Sequence, residues 1–130
     1  MRLLLDTHVF LWYISHDPRL PDVFRDAVRD ATNQVFLSVV SIWEAVIKHG
    51  LGKLPLPTPP AVYLPEQRLR HGVASLPLGE GALLHLAGLP HIHRDPFDRL
   101  LVAQALQHDL LLITVDDSIR GYPVKLLPPG

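Results

Sequence analysis

Short apolar runs that each stop at a polar residue limit what this chain can fold into. Leu3-Leu4-Leu5 stops at Asp6, Val35-Phe36-Leu37 at Ser38, and the run from Leu110 to Val115 at Asp116. A continuous apolar run of this length suits a strand covered on both faces, the condition of a parallel sheet with helices above and below it. Val73 to Leu76 is a weaker strand candidate, and Val124 to Leu127 closes the series.

Helical periodicity fills the gaps. Val23, Phe24, Ala27, Val28 and Ala31 share a face behind Pro21. Trp43, Val46, Ile47 and Leu51 form a second stripe, ended by Gly50 and Gly52. Leu101, Val102, Ala105 and Leu106 form a third behind Pro96, and Glu80 to Leu89 carries a fainter pattern. Leu54 to Pro60 reads as a loop. Ala61 to His71 reads as helical, with a break expected at Pro65. Alternation of strands and helices predicts a three-layer α/β/α sandwich with right-handed crossovers, formed as a single domain over residues 1–130.

Composition narrows the function classes. With 48% apolar and 19% charged residues the chain is globular. A net charge of −1 argues against a general nucleic-acid coat and leaves an enzyme that meets nucleic acid locally. The absence of cysteine removes disulfides and thiolate metal sites and suits a reducing compartment. The opening MRLLLDTHVFLWYI carries Asp6 and no small-residue cleavage site, so it reads as a strand and a helix start, and no apolar run is long enough to span a membrane.

In open parallel sheets, ligands bind beyond the carboxyl ends of the strands. Asp6 follows the first strand and Asp116 the fourth. Glu44 is expected in the first turn of the helix after the second strand. Asp98 is expected in the first turn of the helix before the fourth, on the face that also carries Val102 and Ala105. Each acid also has a purely structural use. Asp6 could cap a helix from Thr7, and Ser41-Ile42-Trp43-Glu44 fits a capping box. Asp95-Pro96-Phe97-Asp98 fits an N-cap, a proline at N1 and an acid at N3. Asp116 and Asp117 could form a turn before Ser118. As a set, however, carboxylates around one sheet edge repel one another unless a cation joins them. Their oxygens suit Mg²⁺ or Mn²⁺, and such a cluster can activate water against a phosphodiester.

The stretches LLLDTHVFLW (Leu3 to Trp12), SVVSIWEAVIKHGLGKL (Ser38 to Leu54), HRDPFDRLLVAQA (His93 to Ala105) and LLLITVDD (Leu110 to Asp117) span nearly the whole chain. In that order they resemble the PIN domain, and within it the VapC-type toxins of bacterial toxin–antitoxin pairs. The family's acidic quartet falls on Asp6, Glu44, Asp98 and Asp116. The resemblance implies a parallel sheet of about five strands in the order 3-2-1-4-5. It also implies a magnesium- or manganese-dependent ribonuclease that cuts RNA in the cytoplasm and leaves a 5′-phosphate. A cognate antitoxin would restrain it, and members commonly form homodimers.

On this reading Asp6, Asp98 and Asp116 hold the metal directly or through water, and Glu44 completes the cluster and orients the attacking water. Thr7 and Thr114 either orient a carboxylate or water, or make ordinary strand-end hydrogen bonds. Lys48, Lys53, Arg94 and Arg99 are candidate phosphate contacts. Lys48 also stands at helix ion-pair spacing from Glu44, and Arg99 could pair with Asp95. Trp12, Tyr13 and Trp43 could stack on bases, or pack in the core or against a partner. There are three rivals. His91, His93 and Asp95 match the first three positions of the H-x-H-x-D-H zinc-hydrolase pattern, but Pro96 stands at the fourth. A PIN-like module could bind RNA or a partner without cutting. A phosphatase with Asp6 as nucleophile lacks the usual second Asp, replaced here by His8.

Overall fold

The computed structural model describes residues 1–92 and 94–130. Strand β1 (Arg2–Leu5) runs parallel to β2 (Gln34–Ser38) on one side and β4 (Leu111–Ile113) on the other, and β3 (Ala74–Leu76) pairs with the far edge of β2. The order β3-β2-β1-β4 is the one the resemblance implies, with four strands in place of about five. The expected fifth strand touches β4 only at a single parallel bridge, Leu112 to Leu126. There the Leu112 N–H donates to the Lys125 carbonyl at 2.9 Å and the Leu127 N–H to the Leu112 carbonyl at 3.2 Å. Pro123 and Pro128 flank this bridge and have no N–H to give, which stops the ladder from lengthening.

The helices are α1 (Thr7–Ile14), α2 (Asp22–Arg29), α3 (Val39–Gly50), α4 (Pro60–Arg70), α5 (Glu80–Ala87) and α6 (Pro96–His108), followed by a 3₁₀ turn at Asp117–Gly121. Side chains alternate across the sheet, so one strand feeds two cores. Leu3 and Leu5 pack with Phe10, Phe24, Val28 and Leu64 on one face. Leu4 packs with Leu101, Val102, Ala105 and Ile119 on the other. This two-sided burial accounts for the unbroken apolar run of β1. No helix among the described residues is long and apolar enough to cross a membrane.

Two helices depart from expectation. α3 starts directly from β2, with Ser38 as its N-cap accepting the Val40 N–H at 3.0 Å. Ser41 is therefore inside the helix, the capping box with Glu44 does not form, and Glu44 stands in the second turn, not the first. The same phase turns the expected core stripe outward: Trp43, Val46, Ile47 and Leu51 are exposed, while Val40, Ser41, Glu44 and Ala45 are buried. α4 runs unbroken through Pro65. The carbonyl this proline leaves without its helical donor is that of Ala61, an exposed residue in the first turn, where water can satisfy it.

Proline in a helix interior remains costly even when tolerated. Pro65→Ala is expected to stabilise the fold by about 1–3 kcal/mol, read as a higher urea midpoint at unchanged slope.

Candidate active site

The site begins where the central strand ends. The Asp6 N–H continues the ladder to the Ile113 carbonyl at 2.9 Å, and its own carbonyl accepts the Phe10 N–H at 3.1 Å. Asp6 is thus the N-cap of α1 by backbone position, but its carboxylate makes no capping bond. It accepts instead from the Thr114 hydroxyl at 2.7 Å. That same hydroxyl oxygen accepts the Asp116 N–H at 3.0 Å, so one threonine joins the segments that carry Asp6 and Asp116. The Thr7 hydroxyl donates to Ser41 Oγ at 2.8 Å, pinning the start of α1 to α3.

Glu44 is buried on α3, with Oε2 taking the Lys48 ammonium at 2.5 Å and Oε1 buried without a partner. Asp98 lies in the first turn of α6. Its N-cap, Asp95, accepts the N–H groups of Phe97 at 2.9 Å and Asp98 at 3.4 Å, the pairing expected of the Asp-Pro-x-Asp sequence. Asp116 caps the 3₁₀ turn by accepting from the Ser118 N–H at 3.0 Å and hydroxyl at 2.7 Å, while Asp117 pairs with Arg120 in solvent. Asp6, Glu44, Asp98 and Asp116 line one cleft of about 200 Å³, together with His8, Lys48, Asp95 and Val115. A larger hollow of about 660 Å³ borders it at Val115 and Asp116, walled by Trp12, Arg19, Arg120 and the chain's last prolines.

Burial pushes the Asp6 carboxyl above its ordinary value, and Glu44 adds to the push. The Thr114 hydrogen bond, His8 and the backbone bond at Thr7 act the other way. His8 was not a site candidate on sequence; its signal was its place two residues after Asp6. The donor set fits a hard divalent cation, since it is all carboxylate and includes an orphaned oxygen on Glu44. Among the described residues no three acids or imidazoles already close on one point.

Of the other candidates, only Lys48 and Asp95 line this cleft among the described residues. His91 is exposed, Asp95 is committed to the helix cap, and His93 lies outside the described residues. Arg99 donates to the Pro90 carbonyl at 2.8 Å and to the Tyr122 hydroxyl at 3.3 Å. Lys53 and Arg94 are exposed. Trp43 stands edge-on to Phe97, ring centres 4.9 Å apart; Trp12 lies under the Arg19 guanidinium at 4.7 Å; and Tyr13 meets His71 at 5.3 Å.

The raised Asp6 carboxyl gives a pH-dependent prediction. Its folded value exceeds its unfolded one, so its contribution to stability is complete below the unfolded value of 3.8 and is lost as pH rises through the folded value. At pH 7 without divalent cations, Asp6→Asn is therefore expected to stabilise the fold by about 1 kcal/mol. Thermal melting in EDTA checks this: the gap between variant and wild type should close as pH is lowered toward 4.

The PIN domain family matches residues 3–125. Ribonuclease VapC16 of Mycobacterium tuberculosis is 39% identical over 61 residues, which cover 47% of this chain and only 43% of that protein. Ribonuclease VapC22 of the same organism is 26% identical over 121 residues, 92% of this chain and 91% of that one. Among solved structures, VapBC2 from Rickettsia felis, bound to a promoter DNA fragment, superposes with a TM-score of 0.72 at 15% identity, covering 98% of each chain. That likeness concerns the fold, while the family match runs through all the segments that bear the acids. The chain belongs to the PIN domain family.

Proposed function

We propose that this chain is a metal-dependent ribonuclease, using Mg²⁺ or Mn²⁺ to hydrolyse phosphodiester bonds of RNA, and that it is the toxin of a cytoplasmic toxin–antitoxin pair. The observation that carries the reading is the convergence of Asp6, Glu44, Asp98 and Asp116, from four separate segments, on one small cleft. Two relatives named as ribonucleases support the same chemistry.

Asp6, Asp98 and Asp116 would hold the ion, directly or through water. When bound, it would supply charge neutralisation and a more acidic water. The protein's own part is positional. Thr114 fixes the rotation of the Asp6 carboxylate through its hydroxyl. Glu44 Oε1, buried without a partner, would accept a hydrogen bond from the attacking water when ion and water fill the cleft. Water adds at phosphorus, the bond to the 3′ oxygen breaks, and that oxygen leaves with a proton, giving a 3′-hydroxyl and a 5′-phosphate. An outward apolar row on α3, with Trp43 at 50% and Leu51 at 64% exposure, supports a protein partner. We assign that partner as a cognate antitoxin, in an assembly built on a homodimer.

Incubating purified protein with single-stranded RNA and Mg²⁺, Mn²⁺, Zn²⁺ or EDTA tests the reading. Cleavage is expected with Mg²⁺ or Mn²⁺ and none in EDTA, with rates of Asp6→Asn and Asp98→Asn lower by about 10²–10³-fold. Zinc dependence with loss in His93→Ala would favour the histidine site, and tight RNA binding without cleavage would favour a binding module. Thr114→Val, which keeps the shape and removes the hydroxyl, is expected to lower activity by about 10–100-fold, recovered in part by higher Mn²⁺.

A further inference from the structure

Glu44 shows two oxygens in different states. Oε2 is clamped by Lys48 Nζ, four residues along the same helix, and Oε1 is buried without a partner, on a residue that lines the cleft. The two side chains are unequal: Glu44 is 3% exposed and Lys48 36%. Among the described residues lining the acid cleft, Lys48 is the only lysine or arginine. The desolvation that would make its ammonium more acidic is outweighed by the bond to Glu44 and by the fields of Glu44, Asp95 and Asp98. A carboxylate has one remaining rotation once its stem is packed, and a clamp on one oxygen sets where the other points.

We infer that Lys48 is a positioning residue: its ammonium holds Oε2 of Glu44 so that Oε1 is presented to the water and ion of the cleft, and it does not grip an RNA phosphate. The inference rests on the ribonuclease reading of this cleft. Two arguments favour the clamp over a phosphate contact. Moving the ammonium to a phosphate would leave a buried carboxylate uncompensated, which is strongly unfavourable. The groups around Lys48 are also acidic, so a phosphate reaching it would meet Asp95 and Asp98 as well.

The test combines RNA kinetics with metal binding on the full chain. In Lys48→Met, kcat on single-stranded RNA should fall about 10–100-fold, as for loss of a group that orients a metal-site residue, with KM changed less than about twofold. Lys48→Arg should restore part of the loss, and in a Glu44→Gln background Lys48→Met should cost almost nothing more. Without RNA, Mn²⁺ titration followed by electron paramagnetic resonance should show about tenfold weaker binding in Lys48→Met. Retained kcat with a raised KM and a salt dependence flatter by about one overturns the inference in favour of a phosphate contact. Tighter or unchanged Mn²⁺ binding in Lys48→Met also overturns it, because the ammonium would then act only as a repelling charge or not at all. If wild type cuts no RNA with either metal, the ribonuclease reading fails and the Mn²⁺ titration alone decides the clamp. A wild type that binds no Mn²⁺ overturns both.

Discussion

The structure depends on what happens where β1 ends. Leu3, Leu4 and Leu5 have no exposed surface, and the next residue, Asp6, is only 5% exposed. A carboxylate at the end of a strand buried on both faces and paired on both edges loses most of its hydration, a cost that burial imposes whatever the side chain is for. The Thr114 hydroxyl offsets part of it at 2.7 Å. That bond can form only because Leu5 is in register with Ile113, which brings the residues after them side by side beyond the sheet. The ladder that makes the fold is thus also the ruler that sets Asp6 against Thr114 and, through it, Asp116.

A second set of buried polar groups holds the other half of the cleft in place. Ser38 both caps α3 and donates to Gln104 Oε1 at 2.5 Å, and Gln104 Nε2 donates to the Pro77 carbonyl at 3.2 Å. Gln104 has no exposed surface and sits on α6, so the bond ties the start of α3 to the helix that carries Asp98. Thr7 and Ser41 tie α1 to α3 in the same way. Buried polar groups with partners specify one arrangement of elements, because any other arrangement leaves them unpaired. A serine–glutamine bond that neither acid takes part in thus helps to hold Glu44 and Asp98 in place relative to one another, beside the packing of Trp43 on Phe97.

Much of this was legible in the residues, for physical reasons that also mark where legibility stops. β1 and β2 announced themselves because two-sided burial demands an unbroken apolar run. The start of α6 was readable because Asp95 and Pro96 act through local backbone bonds. The outward stripe on α3 was not, since a period of 3.6 residues identifies an apolar face without saying whether the sheet or a partner covers it. Glu44 shifted from the first to the second turn because Ser38 and Ser41 are both competent caps and only the strand pairing of Ser38 chooses between them. Pro65 carries a strong breaking signal, but the cost depends on whether the stranded carbonyl meets water, a tertiary fact. Val124 to Leu127 has a strand's composition, and its neighbouring prolines limit it to one bridge.

Asp6 and Glu44 face the same problem and are handled differently, and the difference bears on the division of labour in the cleft. A hydroxyl donor stabilises the Asp6 carboxylate without cancelling its charge, so that side keeps its attraction for a cation. An ammonium cancels the charge of Glu44 while holding its geometry. Among the described residues the cleft is lined by five carboxylates, one ammonium and His8. At Glu44 the clamp fixes one oxygen and leaves the other buried without a partner, so what the fold sets there is the direction of that second oxygen, where at Asp6 it preserves the charge.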